Sequence, residues 1–419
     1  MNGEYIKRIT DNELSNKLES SGAVLVRGAK ACGKTESAKR FAKSIAHIDT
    51  DESVSEIMSV NPKRILMGDT PRLLDEWQEQ PKLWNLVRRE VDERSLSAQF
   101  ILTGSSNPEE SIKMHSGAGR FTTLDMRTMS WQELGFSSGK ISMKALFKGA
   151  KIDIYDEAIP LEMIVEKIVI GGFPTTLNKS VSQAININLG YVDLLAEVDM
   201  SRVSDIRRDP VKVKNLLRSI ARNTATLADA ATFAGDIHEK DSSDISRPTI
   251  YDYLDNLRRL MIVEEQPAWV PHLRSAATLR KSPKIHFTDA CLSVAAIGAD
   301  ADSLLNDLKF TGFLFESLVT HDLRVYAQAN DAKVFHYRDS NNLEIDAVVQ
   351  KRNGDWIAFE IKLGIGQIDE AAENLKKIAA IIDEQKTFAP KSLNIITGTG
   401  ISYTRNDGIN VISFASLGA

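Results

Sequence analysis

The chain has 419 residues, of which 42% are hydrophobic and 26% charged, and its formal net charge is −5. That length exceeds one ordinary core and implies roughly two to four domains, and the acidic balance excludes a generally basic nucleic-acid coat while leaving room for a local basic patch. Only Cys32 and Cys291 carry thiols, which excludes a disulfide framework; with no run near the ~18 apolar residues of a membrane span and no signal-like start, the expected setting is cytoplasmic, away from membranes.

The first block, residues 1–140, opens with a short apolar strand, Ala23-Val24-Leu25-Val26-Arg27. It runs into Gly28-Ala29-Lys30-Ala31-Cys32-Gly33-Lys34-Thr35, and Glu36 to Ala46 then suits a helix with Ala38, Phe41, Ala42 and Ile45 inward. A G-x-x-x-x-G-K-T segment between strand and helix is a P-loop: its backbone N–H groups surround phosphates. Lys34 brings charge to the β- and γ-phosphates, and Thr35 offers a hydroxyl to magnesium. ATP and Mg2+ are therefore the expected ligands, held by residues 28 to 36. Arg72-Leu73-Leu74-Asp75-Glu76-Trp77 supplies the acids at a second strand end. Asp75 is expected at the ion and Glu76 as general base toward water. Gln99 to Thr103 reads as another buried strand, with Thr103 or Ser105 placed to sense the γ-phosphate. Gly117-Ala118-Gly119-Arg120 follows, and Arg120 is an arginine-finger candidate, in cis or across a subunit boundary.

Residues 141–210 read as helical, broken by the Gly171-Gly172-Phe173-Pro174 turn. From 211 to 300 the pattern suggests a winged helix-turn-helix. Val213, Leu216, Leu217 and Ile220 form one helical face; Leu227 to Ala231 begins a small-residue helix. Ser246 caps a third helix with Pro248 in its first turn and Tyr251, Leu254, Leu257 and Leu260 inward. Residues 262–265 and 284–287 would be wing strands. Arg247, Arg258, Arg259, Arg274, Arg280 and Lys281 are the candidates for DNA phosphates, diluted by Asp252, Asp255, Glu264 and Glu265. A domain that packs on its neighbours without touching DNA fits the same residues.

In residues 301–419, Thr311 to Val319 reads as a helix with one acid, Glu316. Lys333 to Arg338 reads as a strand, and two more follow, residues 343–349 and 356–362, joined at Asn353-Gly354. Their pairing brings Asp346 toward Glu360, and alternation puts Glu360 and Lys362 on one face. Asp346, Glu360 and Glu316 would bind magnesium or manganese, Lys362 would steady the nucleophile or the developing charge, and Gln367 would orient water or substrate. A domain that keeps this arrangement but only binds DNA or a protein is the alternative. His321-Asp322 and Asp289 read as structural.

The series P-loop at 28–35, L-L-D-E-W-Q at 73–78, L-T-G-S-S at 102–106, G-A-G-R-F at 117–121 and M-S-W-Q-E-L at 129–134 resembles the AAA-type ATPases of bacteria and archaea that carry a C-terminal domain of unknown function. Glu316, Asp346 and Glu360-x-Lys362 are similar to the PD-(D/E)XK nuclease superfamily over residues 310–400, the type of domain in which those ATPases end. The resemblance implies an α/β protein in which a parallel P-loop sheet flanked by helices is followed by a helical and winged-helix middle and a restriction-endonuclease-like end. ATP, DNA, self-association through the ATPase domain and a protein partner are the interactions expected of it.

Overall fold

The computed structural model describes residues 5–104, 117–153, 158–202, 208–241, 243–271, 282–340, 342–382 and 387–419. The protein is α/β, with an N-terminal parallel sheet, a helical middle and a C-terminal mixed sheet. Among the described residues no helix is long and apolar enough to cross a membrane.

The first sheet holds β1 (Ala23–Arg27), β2 (Ser44–His47), β3 (Arg72–Asp75), β4 (Phe100–Gly104) and β5 (Phe121–Asp125), in the spatial order β2-β3-β4-β1-β5 with every pair parallel. The apolar runs in β1 and β4 are buried on both faces, as parallel sheets require. The helix expected to run to Ala46 is shorter. The helix after the P-loop covers only Lys34–Lys39, and Ser44–His47 is the edge strand β2, where Ile45 is exposed. The β3 backbone captures this segment in register Ile45↔Leu73, and pairing outweighs a helical apolar spacing only about two turns long.

The chain then forms the short strand β6 (Ile141–Ser142) and the helices Leu161–Ile170 and Val181–Leu194; the latter continues through a π turn, Leu195–Asp199. Helices Pro210–Arg222, Ala230–Asp241 and Arg247–Arg259 follow, and then a two-stranded antiparallel pair, β7 (Val263–Gln266) with β8 (Lys284–Phe287). The third helix buries Ile250, Tyr253, Leu254 and Leu257, while Tyr251, expected inward, is exposed. The 3.6-residue period that fits Leu254 and Leu257 runs back to Ile250. Helix Ala290–Ile297 is buried on nearly every side among these elements.

The C-terminal sheet contains β9 (Ala332–Arg338), β10 (Glu344–Lys351), β11 (Trp356–Lys362), β12 (Leu393–Thr397), β13 (Tyr403–Thr404) and β14 (Asn410–Ser413), ordered β13-β14-β12-β11-β10-β9. The long helix Leu308–Gln328 covers one face and Ile368–Ile381 the other. The last strand, β15 (Leu417–Gly418), returns to pair with β6. One apolar core runs from Trp131, Met143 and Ile168 through Phe315 and Leu323 to Phe359 and Phe414, so residues distant in sequence share one packed interior.

Candidate functional site

At the carboxyl ends of β1, β3 and β4 the P-loop groups meet. A side chain at Gly28 would put its Cβ 2.1 Å from the Met126 carbonyl oxygen, and Gly33 has φ 105°, so glycine is required at both. Lys34 Nζ donates to the Gly28 and Ala29 carbonyls, each at 2.9 Å. Thr35 Oγ1 donates to Asp75 Oδ1 at 2.8 Å, and Thr103 Oγ1 to the same oxygen at 2.6 Å. His47 Nδ1 lies 3.2 Å from Asp75 Oδ2. The β3–β4 register, Asp75↔Thr103, fixes this meeting. Glu76 follows in a left-handed backbone conformation, φ 52°, and its carboxylate accepts from Gln78 Nε2. Burial pushes the Glu76 carboxyl above its usual value, against the hydrogen bond from Gln78 and the charge of Lys34. Ala29 and Cys32 are buried, whereas Lys30, Ala31 and Glu36 are not.

Arg120 stands elsewhere. It precedes β5, whose start pairs with the start of β1, so it lies at the opposite strand end from the P-loop. Its Nε donates to Asp92 Oδ1 at 2.7 Å. The arginine-finger reading in cis is therefore corrected, because parallel strands separate the two ends by roughly 3.3 Å per residue. Ser105 lies outside the described residues.

Several residues at this site escaped the motif reading. Arg8 donates to the carbonyls of Cys32 (3.0 Å), Arg127 (2.8 Å) and Thr128 (3.1 Å) and pairs with Glu133 at 3.0 Å. Glu133 also accepts from Ser130 N at 2.8 Å, which explains the M-S-W-Q-E-L run; Ser130-x-x-Glu133 has capping-box spacing in the sequence. Tyr191 donates its hydroxyl to the Lys30 carbonyl at 3.2 Å, and Lys30 Nζ meets Asp199 of the π turn at 3.4 Å. The G-G-F-P turn is locked by Gly172 N donating to Asp289 Oδ2 at 2.8 Å and by Met129 N donating to Gly172 O at 2.8 Å. His321 and Asp322 tie the long helix to the first domain: Asp322 Oδ2 accepts from Trp131 N at 2.8 Å, and His321 Nε2 lies 3.0 Å from Thr128 Oγ1.

A second charged cluster sits on the C-terminal sheet. β10 bulges between Ile345 and Val348, which re-aims Asp346. Asp346 Oδ2 accepts from Ile361 N at 2.8 Å and from Lys362 Nζ at 3.4 Å. Lys362 Nζ is also 2.7 Å from Glu360 Oε2, and Asn374 Nδ2 donates to Glu360 Oε1 at 2.7 Å. Glu316, from the long helix, faces a residue that no motif had marked. Lys284 Nζ of β8 lies 2.7 Å from Glu316 Oε1, 2.6 Å from Glu344 Oε1 and 3.8 Å from Asp346 Oδ1. Glu316, Asp346 and Glu360 were expected to share one metal ion. Instead they are divided between two ammonium groups, and among the described residues no group of three or more His, Cys, Asp or Glu is arranged to hold a metal. The reason is electrostatic: carboxylates this deeply buried are costly unpaired, and two lysines already pair them. Burial and the neighbouring acids push Glu316 and Glu360 up despite these lysines. For Asp346 burial also acts upward, but Lys362 and Lys284 outweigh it and hold the carboxyl down. Gln367 is exposed beside the start of helix Ile368–Ile381.

On the middle domain, Arg247 is exposed and Arg258 pairs with Glu265, while Asp252 and Asp255 share the outer face of the same helix. Arg274, Arg280 and Lys281 lie outside the described residues. Glu264 is largely covered, its side chain 13% exposed. It pairs with Arg127 at 3.0 Å and Arg324 at 3.1 Å, joining the first domain, the hairpin and the long helix.

Comparison with known proteins divides the chain in the same order. The family described as an AAA domain matches residues 20–135, and two families described as domains of unknown function, DUF8612 and DUF4143, match residues 161–303 and 311–417. Uncharacterized protein Rv2008c of Mycobacterium tuberculosis and Uncharacterized protein Mb2031c of Mycobacterium bovis are each 23% identical over 354 residues, spanning 83% of this chain and 72% of theirs. Among solved structures, the Walker-type ATPase PABY2304 of Pyrococcus abyssi has a TM-score of 0.41 at 13% identity, covering 70% of this chain and 96% of its own. A point mutant of Thermotoga maritima RuvB has a TM-score of 0.28 at 13% identity, covering 63% and 92%. The chain thus carries an AAA-type P-loop ATPase domain followed by a DUF8612 and a DUF4143 domain.

Proposed function

We propose that this protein binds ATP with magnesium in its first domain, hydrolyses it, and uses the cycle to change how its middle and C-terminal domains are docked. The observation that carries this reading is the meeting of Thr35 and Thr103 on one oxygen of Asp75 beside the P-loop. Hydroxyl and carboxylate oxygens are hard donors that fit magnesium, and Thr35 and Asp75 would hold it. The bound ion supplies charge neutralisation to the phosphates. Lys34 exchanges the Gly28 and Ala29 carbonyls for phosphate oxygens, and the N–H groups of the loop cradle the same charge. Glu76 takes the proton of the attacking water; its raised pKa makes it a stronger base than an ordinary carboxylate. Gln78 steadies that carboxylate. Tyr191 and Asp199 bring the helical middle onto Lys30, so a backbone change in the P-loop acts directly on that helix. Phosphate release from purified full-length protein tests the reading. Turnover that Lys34→Ala and Glu76→Gln leave untouched would refute it.

Two readings remain for the rest of the chain. In the first, the protein is a nucleotide-dependent switch that acts on a protein partner, and its C-terminal domain does not cleave. The pairing of its carboxylates with Lys284 and Lys362 supports this. In the second, the middle domain acts as a winged helix on DNA and the C-terminal domain as a nuclease, with Asp346, Glu360 and Lys362 at its centre. The juxtaposition of those three side chains favours it. A DNA affinity that falls steeply with salt, together with manganese-dependent nicking lost in Asp346→Ala, would select the second reading. A flat salt response and no nicking would select the first. Self-association through the ATPase domain, which would bring Arg120 to a neighbouring P-loop, is read from the order of association in solution.

A further inference from the structure

We propose that Lys284 is a built-in cation: its ammonium holds the carboxylates of the C-terminal domain in place of a divalent ion and prevents them from taking one up. This goes beyond the ATPase reading and does not depend on it.

The β7–β8 hairpin has two faces of different character. Strand alternation and the register Gln266↔Lys284 and Glu264↔His286 place Glu264, Gln266, Lys284 and His286 on one face. On the other face Val263, Ile285 and Phe287 enter the core of the helical middle. The hairpin therefore belongs to the middle domain by its apolar face. Its polar face is spent on the C-terminal domain. Gln266 Nε2 donates to the Asp346 carbonyl at 2.8 Å and to the Phe335 carbonyl at 3.0 Å. His286 Nδ1 lies 3.2 Å from Ser317 Oγ. Between these contacts Lys284 enters the carboxylate cluster from outside the domain that owns it. Its side chain is 3% exposed, and its nitrogen touches oxygens from both the helix and β10.

A buried ammonium survives only where negative charge compensates it, and buried carboxylates survive only beside positive charge. Each is the other's solution. A divalent ion would need the same oxygens, from the same directions, and would place two further positive charges beside the lysine. The two occupants exclude each other. Trp269, buried with Tyr337 and Trp356 just beyond β7, keeps the hairpin seated. The hairpin is also tied toward the nucleotide site: Glu264 pairs with Arg127, whose carbonyl is held by Arg8, which holds the Cys32 carbonyl of the P-loop as well.

The test is manganese binding to the full-length protein, followed by the electron paramagnetic resonance of free and bound ion, at the C-terminal site. Nucleotide is left out, and Thr35→Ala is used as the background so that the first domain contributes no site. In that background the protein with Lys284 should bind no stoichiometric manganese, whereas Lys284→Met should gain one site, at least about tenfold tighter than any residual binding of the protein with Lys284, that disappears when Asp346→Asn is added. Lys284→Gln provides a second neutral replacement of similar length if the methionine variant does not fold. The proposal falls if the protein with Lys284 intact already binds manganese in an Asp346-dependent manner. It falls equally if both folded neutral variants bind none, or if their site survives Asp346→Asn. ATP turnover is measured separately, on protein with Thr35 intact, so failure here is distinguishable from failure of the ATPase reading.

Discussion

Two acidic clusters of this chain use similar residues to opposite effect. At Asp75 and Glu76 the nearest partners are hydroxyls, an amide and a histidine: Thr35, Thr103, Gln78 and His47. None of the first three brings charge. At Glu316, Glu344, Asp346 and Glu360 the nearest partners are the ammonium groups of Lys284 and Lys362. There two ammonium groups already stand among the four acids. The comparison teaches that carboxylates in the right places do not make a metal site until their counter-charges are known.

The contrast can be broken most severely at Lys34. Lys34→Ala should abolish the ATP-dependent rise in melting temperature, worth about 2.7 kcal/mol at one hundred times the dissociation constant; an unchanged rise would remove the P-loop lysine from binding. Next, Glu76→Gln should bind ATP as before but turn over about 10² to 10⁴ times more slowly. Because burial raises the Glu76 carboxyl, the acid limb of wild-type turnover should lie above the usual carboxylate value of 4.5. A limb at or below that value would assign the base elsewhere.

A smaller effect is expected at Glu264. Burial acts to raise this carboxyl, but Arg127 and Arg324 outweigh it and hold it at about 2, against 4.5 for the free group. Its folded-state value is depressed, so its stabilisation is complete above pH 4.5 and is lost as pH falls toward 2. That difference corresponds to about 3 kcal/mol. Urea unfolding across this range should show the loss in the wild type and a shallower dependence in Glu264→Gln. Parallel slopes would mean that the two arginines do not depress it. Smallest of all, Arg120→Ala should leave the turnover of dilute monomer unchanged, since its partner is Asp92 at the far strand end. A loss confined to concentrations at which the protein associates would instead assign Arg120 to a neighbouring subunit.

The sequence alone determined the P-loop, because its glycines, lysine and threonine act through local backbone geometry within eight residues. It determined the order of a nucleotide-type block, a helical middle and a strand-rich end for a similar reason: apolar periodicity is a local property. Tertiary structure alone decided what each charge meets. Ser44–His47 became a strand because β3 lay beside it, and Arg120 left the nucleotide site because β1 and β5 run parallel. Lys284 gave one sequence signal, a lysine and a histidine alternating with Ile285 and Phe287 in a short strand, which marks a polar face without saying what covers it. The acids it meets come from a helix and a strand 32 and 60 residues further along the chain. Electrostatic energy depends on distance and burial in space, and those are set by packing between domains that no local pattern records.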